Sequence, residues 1–456
     1  MTYPMEIVLK DNDSAQFRDN RDLALLLPLE NISNRTVKDL LGDKNNRILL
    51  FPNSFSESID LNSSDYPLIM RSSLHEGKLS HIVIETGNIA GFISSGNLSL
   101  SIHSRFTQVD DEGHYSDYFL HYMLEKVLSL NLVNLSHTKT DDSVFDFMLF
   151  LFPRMLNEAL SQGIFKEYQR KKYNDANIRG VIDINRHIRY NVPFKGTVAY
   201  NTREFSYDNH VTELIRHAIE YISTRQIGKS LLKNDPETHA NVSRIISATP
   251  QYQKQDRQKF VNADKKITVH PYFTKYTPLQ RLCLSILQHE KLKYGDGIEK
   301  IHGILFDVSW LWEEYLATLL VPQGFKHPDN RKGIGAIYLS REKKELRRFP
   351  DFYYVKDKTV IIDAKYKKHI DTRNDINQMV TYLYRLRGHS GLFVKPISED
   401  SNKSRSYKLD GYGVDNDAEI VILEMYIPTN THSYDEFKSQ IQEQEKILEN
   451  IHYYVH

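Results

Sequence analysis

Residues 349–369 of this 456-residue chain read FPDFYYVKDKTVIIDAKYKKH, and they decide the predicted fold of its C-terminal part. Two runs rich in aromatic and β-branched residues, 352–355 and 359–364, flank the polar tripeptide Lys356-Asp357-Lys358. Short apolar runs on either side of a polar turn are typical of a β-hairpin. With the turn centred on Asp357, Asp351 lies opposite Asp363, since both are equally far from the tip.

These opposed carboxylates predict a metal site. Directly opposed residues on one face of a strand pair have Cβ atoms about 5 Å apart, and two like charges so placed repel each other at a cost that rises with burial. A divalent cation removes that repulsion, and Mg²⁺ prefers hard oxygen ligands such as carboxylates, water and phosphate. We therefore expect Asp351 and Asp363 to bind Mg²⁺.

Lys365 completes the predicted chemistry. Side chains alternate along a strand, so Asp363 and Lys365 lie on the same face. The ammonium would then stand beside the metal, where it can hold a water molecule and oppose charge developing on a phosphate. The apolar run 360–362 indicates an interior strand that carries these residues to the edge of the sheet. The alternative is a surface hairpin in which Asp363 and Lys365 form only an ion pair.

Two predicted helices beside the hairpin offer further site residues. Residues 306–320 have an amphipathic pattern, on which Glu313 is a candidate third metal ligand or base. Glu314 points about 100° away, and the pattern leaves open which of the two faces the site. On the helix after the hairpin, Gln378 and Tyr382 are spaced i, i+4 and share one face, so they are candidates to contact the active site or the DNA backbone. A solvated or packed helix face is the alternative for each.

The rest of the C-terminal pattern is mixed. Strands are predicted at 334–340, 392–395 and 419–426, and helices at 375–386 and after residue 433. The last helix begins with a capping box formed by Ser433 and Glu436. Helix, strands, helix and strand in this order favour an α/β domain.

The N-terminal region is predicted to be rich in β-structure. Strands are expected at 47–51, 81–85, 89–93 and 98–103. Gly-Asn turns separate the last three strands, which favours a β-meander. Helical spacing begins after Ser116 and continues to about residue 165, with an interruption at Pro153.

The middle of the chain combines a basic segment with helices. Residues 166–205 indicate strands and loops, and helices are expected at 211–222, after an N-cap at Asp208 or Asn209, and at 271–292. We therefore expect a β-rich N-terminal region at 1–165, a basic and helical linking region at 166–300 and an α/β domain at 301–456.

Gly228-Lys229-Ser230 copies the end of a phosphate-binding loop. The full motif requires a glycine five positions earlier, where this chain has Ser223, and a strand that leads into the loop, where the pattern is helical. We interpret Gly228 as the residue at which a helix ends, so the sequence argues against an intrinsic nucleotide hydrolase.

The net charge of zero conceals local imbalance. The chain has 59 Lys and Arg against 59 Asp and Glu, but residues 326–368 hold 13 basic and 6 acidic side chains, and residues 166–204 hold 9 and 4. Residues 399–450 reverse the sign, with 5 basic and 12 acidic side chains. A basic segment around the predicted site is compatible with a nucleic-acid substrate.

Cysteine content and hydropathy narrow the class of protein. The single cysteine excludes an intramolecular disulfide and a multi-cysteine zinc site, and it favours the reducing cytoplasm. The first 20 residues lack the pattern of a signal peptide. The longest strongly apolar run, 147–152, is far shorter than the roughly 20 residues that a membrane helix needs.

The combination of these motifs resembles the PD-(D/E)xK nuclease superfamily. It consists of Glu313, Pro350-Asp351, Asp363-Ala364-Lys365 and Gln378-x-x-x-Tyr382. More narrowly, residues 349–369 with DINQMVTYLYRL (375–386) are similar to the McrC family, the endonuclease subunits of McrBC-type restriction systems. NIRGVIDINRH (177–187), FSYDNHVTELIRHAI (205–219) and LWEEYL (311–316) extend the resemblance over roughly residues 170–396.

This resemblance implies a restriction-endonuclease-like C-terminal domain and a division of labour. Family members cut DNA, and through a β-rich N-terminal domain they insert into a hexamer of McrB-like AAA+ GTPases and stimulate hydrolysis. The partner reads modified cytosine in double-stranded DNA, and two McrC-like subunits can pair to break both strands. The expected docking region is 1–165.

The resemblance also extends the list of site residues. Asp351, Asp363, Lys365, Glu313 and Gln378 form the expected catalytic set, and the first two with Glu313 bind the metal. Arg347, Arg348, Lys367, Lys368 and Tyr382 are expected to contact DNA. Two alternatives stay open: a nuclease of this superfamily that acts alone or with another ATPase or helicase, and a non-catalytic adaptor that activates a AAA+ ring.

Overall fold

The structure is a computed structural model of the chain. It describes residues 5–17, 23–36, 39–40, 46–52, 70–75, 81–96, 98–110, 113, 115–128, 140–261, 267–292, 301–330, 333–340, 346–355, 359–399, 404–410, 418–449 and 451. Within these ranges, the helices fall short of the length and apolarity that crossing a membrane requires.

The strands are numbered in chain order. They are β1 (Met5–Lys10), β2 (Ser14–Phe17), β3 (Arg47–Phe51), β4 (Met70–His75), β5 (His81–Thr86), β6 (Ile89–Ser95), β7 (Leu98–His103), β8 (Gln108–Val109), β9 (Tyr115–Ser116), β10 (Glu167–Asp175), β11 (Val181–Ile182), β12 (Val198–Ser206), β13 (Ile301–Asp307), β14 (Ile337–Tyr338), β15 (Arg347–Arg348), β16 (Phe352–Val355), β17 (Thr359–Ala364), β18 (Ser390–Ile397), β19 (Arg405–Lys408) and β20 (Glu419–Tyr426).

The α-helices are numbered in the same way. They are α1 (Leu23–Ile32), α2 (Tyr118–Leu128), α3 (Thr140–Leu160), α4 (Ile184–Asn191), α5 (His210–Ile222), α6 (Gln226–Lys233), α7 (Pro236–Ala248), α8 (Arg257–Val261), α9 (Tyr276–Leu292), α10 (Val308–Leu320), α11 (Asn374–Leu386) and α12 (Tyr434–Glu449).

The chain forms two compact units. Unit 1 combines residues 1–144 with residues 293–456, and unit 2 is residues 145–292. This division differs from the three predicted regions, because β13 at the start of the predicted C-terminal domain is a strand of the N-terminal sheet. A contact between residues so far apart in sequence leaves no local signal in either segment.

The N-terminal sheet of unit 1 has the strand order β1-β7-β6-β13-β3. β13 is antiparallel to β6 and parallel to β3. Gly91 on β6 makes the close approach possible, because its φ is +132° and an added Cβ would lie 2.1 Å from the carbonyl oxygen of Ile304. Only glycine adopts this backbone conformation without strain.

The predicted β-meander is wrong for β5. That strand lies between β2 and β4 in a separate three-stranded sheet, whereas β6 and β7 form the expected antiparallel hairpin. The reason is that β7 and β13 occupy both edges of β6, so β5 finds no free edge there.

The C-terminal sheet of unit 1 has the order β16-β17-β18-β20-β19. β17, β18 and β20 are parallel, and the two edge strands are antiparallel to their neighbours. β17 is therefore an interior strand, as its apolar run predicts, and Val360, Ile361 and Ile362 are buried. Met379 and Leu383 of α11 pack in one cluster with Ile361.

The predicted helix 306–320 is two residues too long at its start. Phe306 belongs to β13, and Asp307 is the N-cap of α10, accepting hydrogen bonds from the backbone N–H groups of Ser309 (3.0 Å) and Trp310 (3.1 Å). The side chain of Trp312 donates to the carbonyl oxygen of Val394 on β18, 3.2 Å away, so α10 packs against the C-terminal sheet.

Other C-terminal predictions are confirmed with small changes. β16, β17 and β20 have the predicted bounds, and α11 begins one residue earlier than predicted. The strand expected at 334–340 shortens to β14, which pairs with β15. Ser433 caps the N–H of Glu436, whose carboxylate in turn accepts from the N–H of His432.

Unit 2 contains a small antiparallel sheet, β10-β12-β11, and helices α3 to α9. The predicted interruption at Pro153 is wrong, because α3 continues through it. Proline removes one backbone donor, but the neighbouring Phe152 and Leu156 are fully buried, and tertiary packing overrides the local preference. Asn209 caps α5 as predicted, with its side chain accepting from the N–H groups of Val211 and Thr212.

Gly228 does not end a helix, contrary to the prediction. It lies in the first turn of α6, and α5 ends at Ile222. An added Cβ at Gly228 would lie 2.1 Å from the carbonyl oxygen of Ile222, so a close approach between two helices explains this glycine. The segment before Gly228 is helix rather than the strand that a phosphate-binding loop requires.

Candidate active site

The register of the C-terminal hairpin brings the two predicted carboxylates together. Phe352 pairs with Ile362 and Val355 with Thr359, which is the register of a turn centred on residue 357, although residues 356–358 lie outside the described ranges. One further step along the ladder places Asp351 opposite Asp363. The Oδ2 atom of Asp351 accepts a hydrogen bond from the backbone N–H of Ala364 at 2.8 Å, so this carboxylate faces the end of β17.

Both carboxylates are held in a strained electrostatic environment. Asp363 is only 2% exposed. Burial raises the pKa of Asp351 well above its usual value, and the negative charges of Glu313 and Asp363 raise it further. Burial also raises the pKa of Asp363, although the nearby Lys365 opposes that effect. The repulsion expected from the sequence is therefore present, and a bound cation would relieve it.

Lys365 lies among oxygen atoms at the same end of the strand. Its Nζ atom is 2.6 Å from Oδ2 of Asp363, 3.1 Å from Oε1 of Gln378 and 3.4 Å from Oδ1 of Asp375. Burial alone would lower the pKa of Lys365, but the carboxylates of Asp363, Asp351 and Asp375 outweigh burial and raise it. The side chain therefore remains an ammonium at neutral pH.

Gln378 and Tyr382 share one face of α11, as their spacing predicts. Gln378 accepts from Lys365 through Oε1 and donates through Nε2 to the hydroxyl of Tyr382 at 2.6 Å. That hydroxyl donates to the carbonyl oxygen of Phe349 at 2.8 Å. Tyr382 is 1% exposed, so its position does not support the predicted contact with DNA. The tyrosine instead fixes Gln378, which in turn contacts Lys365.

Glu313 and Glu314 of α10 lie on either side of His327. Nδ1 of His327 is 3.9 Å from Oε1 of Glu313, and Nε2 is 3.7 Å from Oε1 of Glu314. Glu314 also accepts from the indole of Trp310 at 3.0 Å. Because Glu313 is the neighbouring carboxylate that raises the pKa of Asp351 most, Glu313 is the member of the pair associated with the site.

His327 is a site residue that the sequence analysis missed. Its Nδ1 donates to the carbonyl oxygen of Asp351 at 2.9 Å, and its ring stacks on Phe352 with centroids 4.6 Å apart. It lies in a loop without periodicity, so no pattern in the sequence relates it to the hairpin. Its pKa is lowered by burial but raised overall by the hydrogen bonds to Glu314 and Asp351.

The donor set fits a hard divalent cation through two residues. Asp351 and Asp363 provide carboxylate oxygens, and the buried Oδ2 of Asp363 accepts no hydrogen bond in the described part of the chain, although it forms the ion pair with Lys365. Over the same ranges, no group of three or more His, Cys, Asp or Glu side chains is arranged to hold a metal ion. The predicted third ligand, Glu313, is thus not part of a preformed cluster; its carboxylate lies near His327 instead.

The predicted DNA-contacting cations lie on two segments near the hairpin. Arg347 and Arg348 form β15, directly before Pro350-Asp351. Lys367 and Lys368 are exposed after β17. Lys367 is not a free cation, because its Nζ lies 3.0 and 3.1 Å from the two carboxylate oxygens of Asp375.

A buried network links the site to the N-terminal sheet within unit 1, and it was also missed. The hydroxyl of Tyr366, the residue after Lys365, donates to Oδ2 of Asp11 at 2.7 Å. Arg105 pairs with Oδ1 of Asp11 at 2.8 Å and lies 4.2 Å above the ring of Tyr366. These residues come from three distant segments, so no local motif could have revealed the contact.

A family model described as "McrBC 5-methylcytosine restriction system component" matches residues 84–394. A structure described as a refined half-complex from a tetradecameric assembly of Thermococcus gammatolerans McrB AAA+ hexamers with bound McrC is 15% identical, with a TM-score of 0.47, over 96% of this chain and 100% of that chain.

A second structure, the cryo-EM structure of the Thermococcus gammatolerans McrBC complex, is also 15% identical. Its TM-score is 0.34, over 70% of this chain and 87% of that chain. No curated protein matches the sequence.

Proposed function

Since the chain belongs to the family of McrBC 5-methylcytosine restriction system components, whose model matches residues 84–394, we propose that it is the DNA endonuclease subunit of such a system. The observation that carries this proposal is the pair of opposed carboxylates, the half-buried Asp351 and the buried Asp363, with the ammonium of Lys365 2.6 Å from Asp363. The reaction is metal-dependent hydrolysis of a phosphodiester bond in double-stranded DNA that contains modified cytosine.

Asp351 and Asp363 would hold Mg²⁺, which when bound supplies positive charge beside the scissile phosphate. Lys365 orients the attacking water and opposes the negative charge that develops on the phosphate oxygens. Gln378, held by Tyr382, fixes the ammonium of Lys365 at 3.1 Å. Glu313, whose negative charge raises the pKa of Asp351, would accept a proton from the water.

DNA contacts come from the basic side chains around the hairpin. Arg347, Arg348 and Lys368 would bind phosphates, with Lys367 divided between a phosphate and Asp375. Because such contacts release counterions from DNA, binding should weaken as salt concentration rises.

The motor is a separate chain in this proposal. The segment around Gly228 is helical and forms no phosphate-binding loop, so a McrB-like AAA+ GTPase hexamer supplies nucleotide hydrolysis and reads the modified base. The two structures from Thermococcus gammatolerans are McrBC assemblies, one of them with McrC bound to McrB AAA+ hexamers, which is the same partnership. A cytoplasmic location and pairing of two copies to cut both strands belong to the same proposal.

We infer that the partner docks on the small sheet of unit 2 rather than within residues 1–165. Half of the large apolar side chains that the described residues expose lie between residues 168 and 207, including Val181 (76% exposed) and Ile184 (67%). Exposed apolar surface of this extent marks an interaction site. The same segment carries an excess of basic residues, which favours a partner surface with acidic groups.

The experiment that tests the nuclease proposal separates cleavage from motor stimulation. Asp363→Asn and Lys365→Ala are purified with the partner GTPase, and DNA cleavage and GTP turnover are measured on the same samples. We expect cleavage to fall at least about 100-fold, because charge stabilisation in the transition state is lost, while GTP hydrolysis stays stimulated. Lys446→Ala is the control, because that exposed lysine lies on α12 and forms an ion pair with Glu443.

Three outcomes decide between the proposal and its alternatives. Cleavage by the two variants at the wild-type rate would remove the site assignment. Cleavage by the wild type in the absence of any GTPase would favour a nuclease that acts alone or with another ATPase. Stimulated GTP hydrolysis without any cleavage by the wild type would favour a non-catalytic adaptor.

A further inference from the structure

Asp375 is a buried carboxylate beside the site that the proposed mechanism does not use. It lies in the first turn of α11, is 4% exposed, and accepts a hydrogen bond through Oδ2 from the backbone N–H of Asp371 at 2.8 Å. Lys367 contacts both of its oxygens from the solvent side, and Oδ1 also lies 3.4 Å from the ammonium of Lys365. Asp375 is therefore a second carboxylate partner for the proposed catalytic lysine.

Its surroundings keep Asp375 ionised. Burial would raise the pKa of this carboxyl group, but the N–H of Asp371 and the ammonium groups of Lys367 and Lys365 outweigh burial and lower it. A carboxylate in the first turn of a helix is also favoured by the helix dipole. A charged acceptor is thus available to Lys365 without any rearrangement of the backbone.

Lys365 and a divalent cation compete for the same atom. The Nζ atom lies 2.6 Å from Oδ2 of Asp363, which is one of the carboxylate oxygens that would coordinate the metal. Two positive groups cannot share that oxygen at contact distance without strong repulsion. Metal binding at Asp363 therefore requires the ammonium to move to other acceptors, and Oδ1 of Asp375 and Oε1 of Gln378 are the acceptors already within 3.4 Å.

We propose that Asp375 is a positioning residue that serves as the alternative counter-ion of Lys365 and thereby frees Asp363 to bind a divalent cation. Lys367 holds the carboxylate in place, and Gln378 guides the same ammonium. The proposal rests on the proposed nuclease function for its purpose, but its central claim concerns metal affinity and can be measured without DNA.

The test is calorimetric titration of the purified chain with Ca²⁺, which probes the hard-oxygen site in the absence of DNA. Asp375→Asn should weaken Ca²⁺ binding about 10–100-fold, the range found when a residue that supports a metal ligand is removed. Asp371→Asn is the matched control, because it is the same substitution four residues earlier, where the carboxylate accepts hydrogen bonds from Arg373 and Asn374. We expect the control to bind Ca²⁺ like the wild type.

A second pair of variants separates positioning from mere support of the fold. In a Lys365→Met background the competing ammonium is absent, so Asp375→Asn should no longer weaken Ca²⁺ binding. Lys367→Ala, which leaves Lys365 in place, should weaken binding in the same direction but less. Cleavage by Asp375→Asn should recover at high Mg²⁺ concentration, because the variant loses metal affinity rather than the catalytic groups.

Two results would overturn the proposal: Ca²⁺ affinity unchanged by Asp375→Asn, or an equal loss of affinity in the wild-type and Lys365→Met backgrounds. Should Asp375→Asn fail to fold, as its thermal unfolding would reveal, Lys367→Ala in the two backgrounds provides the same comparison. Failure of the nuclease proposal would give a different result. The wild type would then bind Ca²⁺ with the expected dependence on Asp375 but leave DNA intact with Mg²⁺.

Discussion

At the scale of single residues, Asp351 and Asp363 lower the free energy of unfolding of the metal-free protein. Asp363 is buried and Asp351 half-buried, and loss of solvation together with neighbouring negative charge raises the pKa of Asp351 well above its usual value. The folded protein keeps protons on these groups at pH values where the unfolded chain has already released them. In the metal-free protein the free energy of unfolding therefore falls as pH rises from about 4, the ordinary Asp pKa, through the raised folded-state pKa.

Asp351→Asn should consequently stabilise the metal-free protein at pH 7 by about 0.5–2 kcal/mol, as commonly found when a functional site loses its electrostatic conflict. The amide oxygen of the variant can still accept from the N–H of Ala364, so the hairpin geometry is kept. Urea unfolding at pH 5 and pH 7 measures the effect, which should be larger at pH 7. Glu443→Gln on the exposed face of α12 is the control.

Added Mg²⁺ should reverse the order of stability. The cation binds the folded wild type and stabilises it, whereas the variant has lost one of the two carboxylates. A variant that is less stable than the wild type at pH 7 without metal would contradict the electrostatic interpretation of the site.

At the scale of elements, the pairing of β6 with β13 joins the two sequence segments that make up unit 1. Gly91 pairs with Leu305 and Gly303 with Ile93, and an added Cβ at Gly303 would lie 2.5 Å from the carbonyl oxygen of Phe92. Two glycines therefore allow the backbones to approach. The chain leaves this sheet directly into α10, so the strand pair also positions the helix that carries Glu313.

Gly91→Ala should destabilise the protein by more than the roughly 1–3 kcal/mol of a strained backbone conformation alone, because the new methyl group also meets the carbonyl of Ile304. Gly163→Ala separates the two effects. Gly163 has a φ of +92°, but no atom within 4 Å of an added Cβ, so it incurs the strain without the clash.

Thermal or urea unfolding of the two glycine variants gives the comparison. Equal losses of stability would show that the close approach of β6 and β13 contributes nothing beyond backbone strain.

At the scale of the whole molecule, charge and apolar surface are distributed unevenly. The basic segment 326–368 surrounds the proposed active site, and the acidic segment 399–450 follows it, so the neutral total says nothing about the substrate. Within unit 2, an excess of basic residues at 166–204 coincides with half of the exposed large apolar side chains of the described ranges, which lie between residues 168 and 207. The basic segment 326–368 is thus suited to DNA, and the basic, apolar segment of unit 2 is suited to a protein partner.

Val181→Ser should weaken binding to the AAA+ partner about tenfold, or about 1.4 kcal/mol, because an apolar contact is lost from the interface. Val269→Ser is a closely matched control, since Val269 is 77% exposed against 76% for Val181 and lies outside residues 168–207. Stimulation of GTP hydrolysis, titrated against the concentration of this chain, measures the affinity.

Docking elsewhere would be recognised in the same assay. Val109 is exposed within the predicted docking region 1–165, and a loss of stimulation in Val109→Ser with full stimulation in Val181→Ser would place the partner there. Thermal unfolding should be the same in all three variants.

Features that depend on neighbours in sequence were determined by the sequence itself. Strand periodicity and a turn centred on Asp357 were sufficient for the register that opposes Asp351 to Asp363, and helical spacing was sufficient to place Gln378 and Tyr382 on one face. These arrangements follow from local geometry, with repeats of two and about 3.6 residues, so they can be inferred before any tertiary contact is known.

Features that join distant segments were decided only by the tertiary structure. Three contacts bring together segments whose sequences give no sign of one another. They are the insertion of β13 between β6 and β3, the contact of His327 with Asp351, and the network of Asp11, Arg105 and Tyr366. Asp375 was within a recognised motif, yet its contact with Lys365 depends on how α11 packs against β17. Burial is the physical reason: it is set by packing of the whole unit, and it converts an ordinary pair of aspartates into one with raised pKa values that a bound cation would relieve.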